Sequence, residues 1–384
     1  MNFSQIPSPC YVLDESLFAA NLELIREVGR KSDVEIILAL KGFAMWGGFP
    51  MMKPYLKGVS ASSIHEARLA CEEMGTLAHT YSPVYTEGDF NTILKYSSHI
   101  TFNSLSQYER FRKQVQRFND SEIQRNPISM GLRINPEFSA VDTDLYNPCS
   151  PGSRLGITAA QIGDNLPEDI EGLHVHALCE SSAEATKNLL EAVEMKFRHL
   201  FPRIQWLNLG GGHLMTRKDY NRQCLIDALK AFRAKYPYLR IILEPGAAFV
   251  WDAGVLVATI EDIVENADIR TAILDVSFTA HMPDCLEMPY KPRIRGASDV
   301  QPDEIGWRLG GNSCLSGDYM GEWSFDEEPC VGKQIVFEDM IHYTMVKTTT
   351  FNGVPHPSIG LWNEQRGFTL LKKFGYEDYK NRLS

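Results

Sequence analysis

Lys41 closes the apolar run Val34-Glu-Ile-Ile-Leu-Ala-Leu40. An ammonium at the end of a buried strand is costly to hold away from water. Desolvation lowers the pKa of such a lysine and frees its amine to attack a carbonyl, as Schiff-base lysines do. Three other features carry chemistry. Asn208-Leu-Gly-Gly-Gly-His213 sets three glycines where backbone N–H groups can converge on a phosphate. Glu244, in Leu243-Glu-Pro-Gly246, adds a carboxylate, and His174-Val-His176 puts two imidazoles two residues apart. Each has a plainer explanation taken alone: a solvated loop lysine, a tight turn, a loop acid, a satisfied core histidine.

The elements that must position them alternate. Asp14 is a plausible N-cap for a helix with Leu17, Leu24, Ile25 and Val28 on one face. The strand 34–40 follows, and apolar or β-rich runs recur at 56–60, 77–81, 99–102, 129–134, 172–178, 204–209 and 240–243. Helix-like stretches lie between them at 63–74, 106–118, 183–199 and 220–236. Eight such units predict an α/β chain built on a parallel (β/α)8 barrel of the TIM type. A doubly wound sheet normally carries its phosphate loop after the first strand, whereas here the glycines follow the seventh. Beyond Glu244 the texture turns β-rich, with strands expected at 255–263, 271–276, 332–337 and 343–350 and a hairpin-type turn at Asn352-Gly353. The expected division is a barrel over 14–247 and a C-terminal β-rich domain formed by 248–384 with the leader 1–13.

Composition fits this picture. The chain has 384 residues, 44% apolar and 23% charged, an ordinary globular balance with ample core-forming material. No apolar run approaches the roughly 20 residues of a membrane span, and the N-terminal residues lack a signal peptide's pattern. The eight cysteines are scattered without metal-ligand spacing, which suits a reduced, cytoplasmic protein. A net charge of −11 disfavours nucleic acid and anionic membranes and mildly favours a cationic ligand.

In such barrels the active site lies at the C-terminal ends of the strands. That rule selects Lys41, Ser60 to Glu66, Tyr81 and Ser82, Asn103, Arg133 to Asn135, His174, His176, Gly210 to Gly212, and Glu244. Barrel closure brings Glu244, on the eighth strand, beside Lys41 on the first. A lysine, a facing carboxylate and a phosphate nest together suggest pyridoxal phosphate, whose ring nitrogen needs an anionic partner. A zinc pair at His174 and His176 fits less well, because metal-dependent hydrolases on this barrel carry such a pair on the first strand; no metal is expected.

Leu40-Lys-Gly-Phe43, Gly131-Leu-Arg-Ile134, His174-Val-His176, Gly210-Gly-Gly212, Glu244-Pro-Gly246, Cys314-Leu-Ser-Gly-Asp318, Tyr343 and Thr350-Phe-Asn-Gly353 occur in that order. Together they resemble the alanine-racemase-fold pyridoxal-phosphate decarboxylases over nearly the whole chain. Ala39 to Phe43, His79-Thr-Tyr-Ser-Pro83, His176-Ala-Leu-Cys-Glu180, Ala280-His-Met-Pro-Asp284 and Ile341-His-Tyr343 resemble the branch acting on carboxynorspermidine and carboxyspermidine. The resemblance implies that Lys41 carries the cofactor, Glu244 meets its ring nitrogen, His176 lies against the ring and Arg133 supports its edge. It assigns Gly210, Gly211, Gly212 and Tyr343 to phosphate. It also implies a homodimer with shared active sites, in which Cys314 reaches across the interface to return a proton.

The chain departs from the wider family at Ala247, where diaminopimelate and ornithine decarboxylases carry arginine. That weighs against diaminopimelate, whose second carboxylate needs a cationic clamp. A carboxylated polyamine needs acids instead, and Asp275, Asp284 and Asp318 join Glu244 and Cys314 as candidate substrate contacts. Other basic amino-acid decarboxylases, a racemase and a non-catalytic cofactor carrier remain as alternatives.

Overall fold

The computed structural model describes all residues except 122–125 and 142–146. The chain divides into two units, one of Asn21–Phe249 and one of Met1–Ala20 with Val250–Ser384. Strand β1 (Cys10–Asp14) belongs to the second unit.

The unit Asn21–Phe249 is a closed parallel barrel. It begins with β2 (Glu35–Ile36) and β3 (Leu38–Ala39), two halves of one strand, and continues through β4 (Val59–Ala61), β5 (Ala78–Tyr81), β6 (Ser97–Phe102) and β7 (Ser129–Asn135). The short β8 (Ile157–Thr158) lies off β7, and β9 (Gly172–His174), β10 (Trp206–Asn208) and β11 (Arg240–Leu243) complete the ring. Closure runs through the divided first strand. β2 pairs with β11, Ile36 opposite Leu243, while β3 pairs with β4, Ala39 opposite Ser60. Strands β4, β5, β9 and β10 are shorter than the runs that announce them, whereas β6 and β7 extend slightly beyond theirs.

Four of the barrel's helices start on a polar cap. The side chains of Ser63, Ser104, Ser182 and Asn221 accept from the backbone N–H of Glu66, Gln107, Ala185 and Cys224 respectively. Such a cap is typically worth about 1 kcal/mol and fixes where the chain reverses. Inside the barrel Trp206 packs with Ile37 and Ile242. A Cβ on Gly172 would sit 2.0 Å from the Trp206 ring, and one on Gly131 2.3 Å from it. The two glycines therefore make room for one indole, whose Nε1–H donates to Ser129 at 2.9 Å. Truncating a packed tryptophan of this kind to alanine typically costs about 3–5 kcal/mol.

The second unit is a mixed sheet. Its spine, β12 (Gly254–Asn266), pairs with β1, with β13 (Ile269–Leu274) and with β17 (Gln334–Glu338). Strands β14 (Ala297–Asp299), β15 (Trp307–Gly310) and β16 (Tyr319–Phe325) extend it beyond β13. On the other side β1 pairs in parallel with β18 (Ser358–Asn363), which pairs with β19 (Gly367–Lys372). The expected strand at 343–350 is instead a helical turn, Tyr343–Val346. Its threonines are bonded by side chain: Thr344 donates to the distant Asp284, and Thr348 to the Met345 carbonyl three residues back. Such bonds compete with a strand ladder. Asn352 and Gly353 adopt the left-handed conformation expected of a tight turn (φ 57° and 73°), but they follow that helical segment rather than joining two strands. Among the described residues no helix is long and apolar enough to cross a membrane.

Candidate active site

Lys41 follows β3 at the barrel seam. Ala39 N–H bonds to the Pro245 carbonyl and Leu40 N–H to the Ser60 carbonyl, so the backbone leading into the lysine is held from both sides. Across the seam, a Cβ on Gly42 would lie 2.8 Å from the Gly246 Cα, which permits no side chain at either glycine. The Lys41 Nζ stands 3.4 Å from His176 Nε2. Lys41 is exposed to solvent, yet the protein packed beside its side chain takes part of the water from the amine. That loss of water is the main cause of its lowered pKa, assisted by Arg133 and opposed by Glu244.

His176 reports the same state. Its Nδ1 accepts from the Gly211 N–H at 2.9 Å, so the neutral ring carries its proton on Nε2. Burial, then Lys41 and Arg133, push the pKa of His176 well below the usual histidine value. An Nε2–H pointed at Lys41 is satisfied only if the amine is uncharged and accepts it. The pair therefore favours the nucleophilic form of the lysine.

Glu244, just past β11, is held at both oxygens. His174 Nε2 lies 3.0 Å from Oε1 and Asn208 Nδ2 lies 3.1 Å from Oε2. Asn208 Oδ1 accepts the Gly210 N–H, which turns its NH2 towards the carboxylate. Burial alone would raise the carboxyl's pKa, but His174, Asn208 and Lys41 outweigh it and leave the value lowered. His174 is itself kept neutral by burial, so the pair is a carboxylate accepting from a neutral imidazole.

Arg133, 4% exposed, donates to the His176 carbonyl and stacks 4.7 Å from the centre of the Tyr81 ring. Tyr81 in turn donates to Asn103 at 2.8 Å. The glycine loop is packed as well as polar. Gly210 and Gly212 take positive φ of 71° and 91°, and Cβ atoms there would lie 2.5 Å from Val175 and Leu178 backbone atoms. The N–H groups of Gly210 and Gly211 are already used by Asn208 and His176.

The sequence-predicted residues of the other unit stand as follows. Asp318 is 4% exposed, and its oxygens accept the N–H groups of Thr279 and Ser313 at 3.0 Å each. It organises the loop that presents the exposed Cys314, whose own N–H bonds to Asn352. Asp284 is 7% exposed and accepts from Tyr290 and Thr344, both at 2.8 Å, tying down the turn that begins at Tyr343. Through these bonds Asp284 and Asp318 anchor the turns around them, while Asp284 Oδ1 is buried without a hydrogen-bond partner. Asp275 is only half-buried, accepts from Thr259 N–H at 2.8 Å, and has its pKa raised chiefly by burial.

The strand-end rule selected His174 without a role and passed over Asn208. Alternation along the strands is the signal that finds both, since Asn208 lies level with His174 in the β9–β10 register and with Ile242, two residues before Glu244, in β10–β11.

A family model described as "Pyridoxal-dependent decarboxylase, C-terminal sheet domain" matches residues 10–341. The chain belongs to the pyridoxal-dependent decarboxylases. Within them it is 50% identical to the carboxyaminopropylagmatine decarboxylase of Synechocystis sp., over 99% of this chain and 96% of that one. It is 42% identical to the carboxynorspermidine/carboxyspermidine decarboxylase of Campylobacter jejuni over the full length of both. The crystal structure of carboxynorspermidine decarboxylase from Campylobacter jejuni, complexed with norspermidine, superposes with a TM-score of 0.88 at 41% identity, covering 98% of this chain and 100% of that one.

The cofactor of this pyridoxal-dependent decarboxylase is pyridoxal phosphate, and the barrel's donor set fits it. Lys41 offers an amine that favours the uncharged state, Glu244 a fixed carboxylate, and His176 an oriented imidazole.

Proposed function

We propose that this chain decarboxylates carboxynorspermidine and carboxyspermidine to norspermidine and spermidine, a step of polyamine biosynthesis. The observation that carries the reading is full-length similarity to the Campylobacter jejuni enzyme named for these substrates. Bound pyridoxal phosphate supplies the electron sink for the charge left when carbon dioxide departs. In this reading Lys41 gives its uncharged amine to hold the cofactor. Glu244, kept anionic, holds the proton on the ring nitrogen. His176 supports the ring face, and Arg133 buttresses the edge through Tyr81. Gly212 and Tyr343 hold the phosphate; Gly210 and Gly211 shape the cradle, since their own N–H groups are spent. The two subunits of a homodimer share their sites, with Cys314 of one returning a proton in the other. Eight unpaired cysteines accord with a cytoplasmic setting.

A second reading, decarboxylation of carboxyaminopropylagmatine, is favoured by the 50% identity to the Synechocystis enzyme. These substrates share the reacting head and differ at the tail, which ends in an ammonium in one case and a guanidinium in the other. The test is carbon dioxide release from carboxynorspermidine, carboxyspermidine, carboxyaminopropylagmatine and diaminopimelate. A carboxylated triamine should give the highest kcat/KM and diaminopimelate a poor one, because nothing at Ala247 clamps a second carboxylate. Asp275→Ala should raise KM for the triamine about tenfold, the loss of one charge-assisted contact, with the cofactor spectrum unchanged. Comparable kcat/KM for diaminopimelate would overturn the reading, and a preference for the agmatine derivative would select the second.

A further inference from the structure

His174 lies one layer below the groups that meet the cofactor and has two unlike nitrogens. Nε2 is 3.0 Å from Glu244 Oε1, whereas Nδ1 is buried without a hydrogen-bond partner. A proton on Nδ1 would be stranded in a side chain only 2% exposed, and the carboxylate would then face a lone pair. The ring is therefore the Nε2–H tautomer, donating to Glu244. Asn208 bonds the second oxygen, and its own orientation is dictated by the Gly210 N–H. The carboxylate thus has two fixed neutral donors and no freedom to rotate.

We propose that His174 is a positioning residue for the decarboxylase reaction: its Nε2–H fixes both the orientation and the ionisation of Glu244, the group that serves the cofactor's ring nitrogen. This rests on the pyridoxal-decarboxylase reading of the site. Lys41, Arg133, Tyr81, His79 and His176 are the other titratable or charged groups that act on the pair. Among these Lys41 and Arg133 disfavour a charged His174, so a neutral donor is the form that the surroundings accept. With His174 gone, Glu244 keeps its burial but loses one of its two oxygen partners. Its carboxyl then takes a proton at higher pH, and a neutral acid cannot hold the ring nitrogen charged.

Two measurements test this. In the cofactor-free protein labelled with 15N-histidine, His174 should show an unprotonated Nδ1 and a protonated Nε2. In the holoenzyme, His174→Phe keeps a ring but removes the donor. It should lower kcat about 10²-fold, the scale of a misplaced catalytic group, with KM changed less than threefold. The acid limb of kcat should also move up by at least one pH unit. His174→Gln, whose amide can donate to the same oxygen, should recover most of the rate and return the acid limb. A purely structural histidine would lower the folded fraction without moving that limb. A proton on Nδ1, or a His174→Phe enzyme with the wild-type kcat and acid limb, overturns the proposal. If His174→Phe does not fold, the 15N result and His174→Gln still decide. Wild-type protein that releases no carbon dioxide from any carboxylated polyamine would instead sink the functional reading, and the tautomer would still be read from the cofactor-free protein.

Discussion

The backbone N–H of Gly211 donates to Nδ1 of His176 at 2.9 Å, so the glycine loop after β10 decides which nitrogen of that imidazole carries a proton. Its neighbour Gly210 explains why the loop has no side chain there: a Cβ would lie 2.6 Å from the same Nδ1. One loop thus sets the tautomer that faces Lys41 and, through Asn208, the amide that faces Glu244.

Replacing Lys41 by alanine removes the amine that stands beside His176 Nε2. Lys41→Ala should lose the visible band of lysine-bound cofactor and all cofactor that borohydride can trap, with turnover reduced by about three or more orders of magnitude. Absorbance, trapping with mass spectrometry, and carbon dioxide release check it. An active variant with the wild-type spectrum would refute the assignment.

Glu244→Gln keeps the shape of the side chain and removes its charge. Both neighbours are donors, so the new NH2 must face either His174 or Asn208, and one good bond becomes a clash of donors. The expected result is substantial retention of cofactor with kcat reduced about 10²–10³-fold and KM little changed. Unaltered kcat would make Glu244 a structural acid.

Gly212→Ala should be far more damaging than Gly75→Ala, although both positions have positive φ (91° and 78°). A methyl at 75 meets nothing within 4 Å, whereas one at 212 lies 2.5 Å from the Leu178 backbone. The left-handed conformation alone costs about 1–2 kcal/mol, and overpacking adds about 1–3 kcal/mol at position 212. Urea midpoints of the two variants, with a titration of pyridoxal phosphate, give the comparison. Equal midpoints would show that the loop moves aside freely.

Stability should fall on acidification before the carboxylates titrate. Burial pushes His99, His213 and His281 each down to about 4. In the unfolded chain they protonate near about 6.5, so between those values the unfolded state binds more protons and gains ground. The contribution of these neutral histidines is complete above about pH 6.5 and is lost progressively as pH falls to about 4. Urea midpoints at pH 8, 6, 5 and 4.5 should decline over that window, and less steeply in His213→Gln. A flat profile down to pH 5 would contradict the buried neutral state.

The barrel was legible because each of its strands is an apolar run that ends on a polar or glycine signature. Lys41, His176 and Glu244 could be singled out because strand ends are where such barrels do chemistry. The partnership of His174, Asn208 and Glu244 was not, because it depends on the register of three strands, which no single run specifies. The partners of Asp284 and Asp318 were hidden for another reason: a loop acid looks alike in sequence whatever it bonds. The segment 343–350 has a strand's residue types, but its threonine hydroxyls take other partners, Asp284 from afar and the Met345 carbonyl close by.

The divided first strand ties chemistry to assembly. The two residues just before Lys41 bond to opposite sides, Ala39 to the Pro245 carbonyl and Leu40 to the Ser60 carbonyl, and these partners are separated by almost the whole barrel sequence. Until the last strand docks, Lys41 lacks both the closed seam and the Glu244 carboxylate; once the ring shuts, its amine stands beside His176 in surroundings that lower its pKa, while the residue stays open to solvent. Reactivity towards aldehydes is therefore a property that the nascent chain acquires late and all at once. A fragment ending before Arg240 should leave Lys41 no more reactive than any surface lysine, which competitive labelling with an aldehyde reagent would reveal.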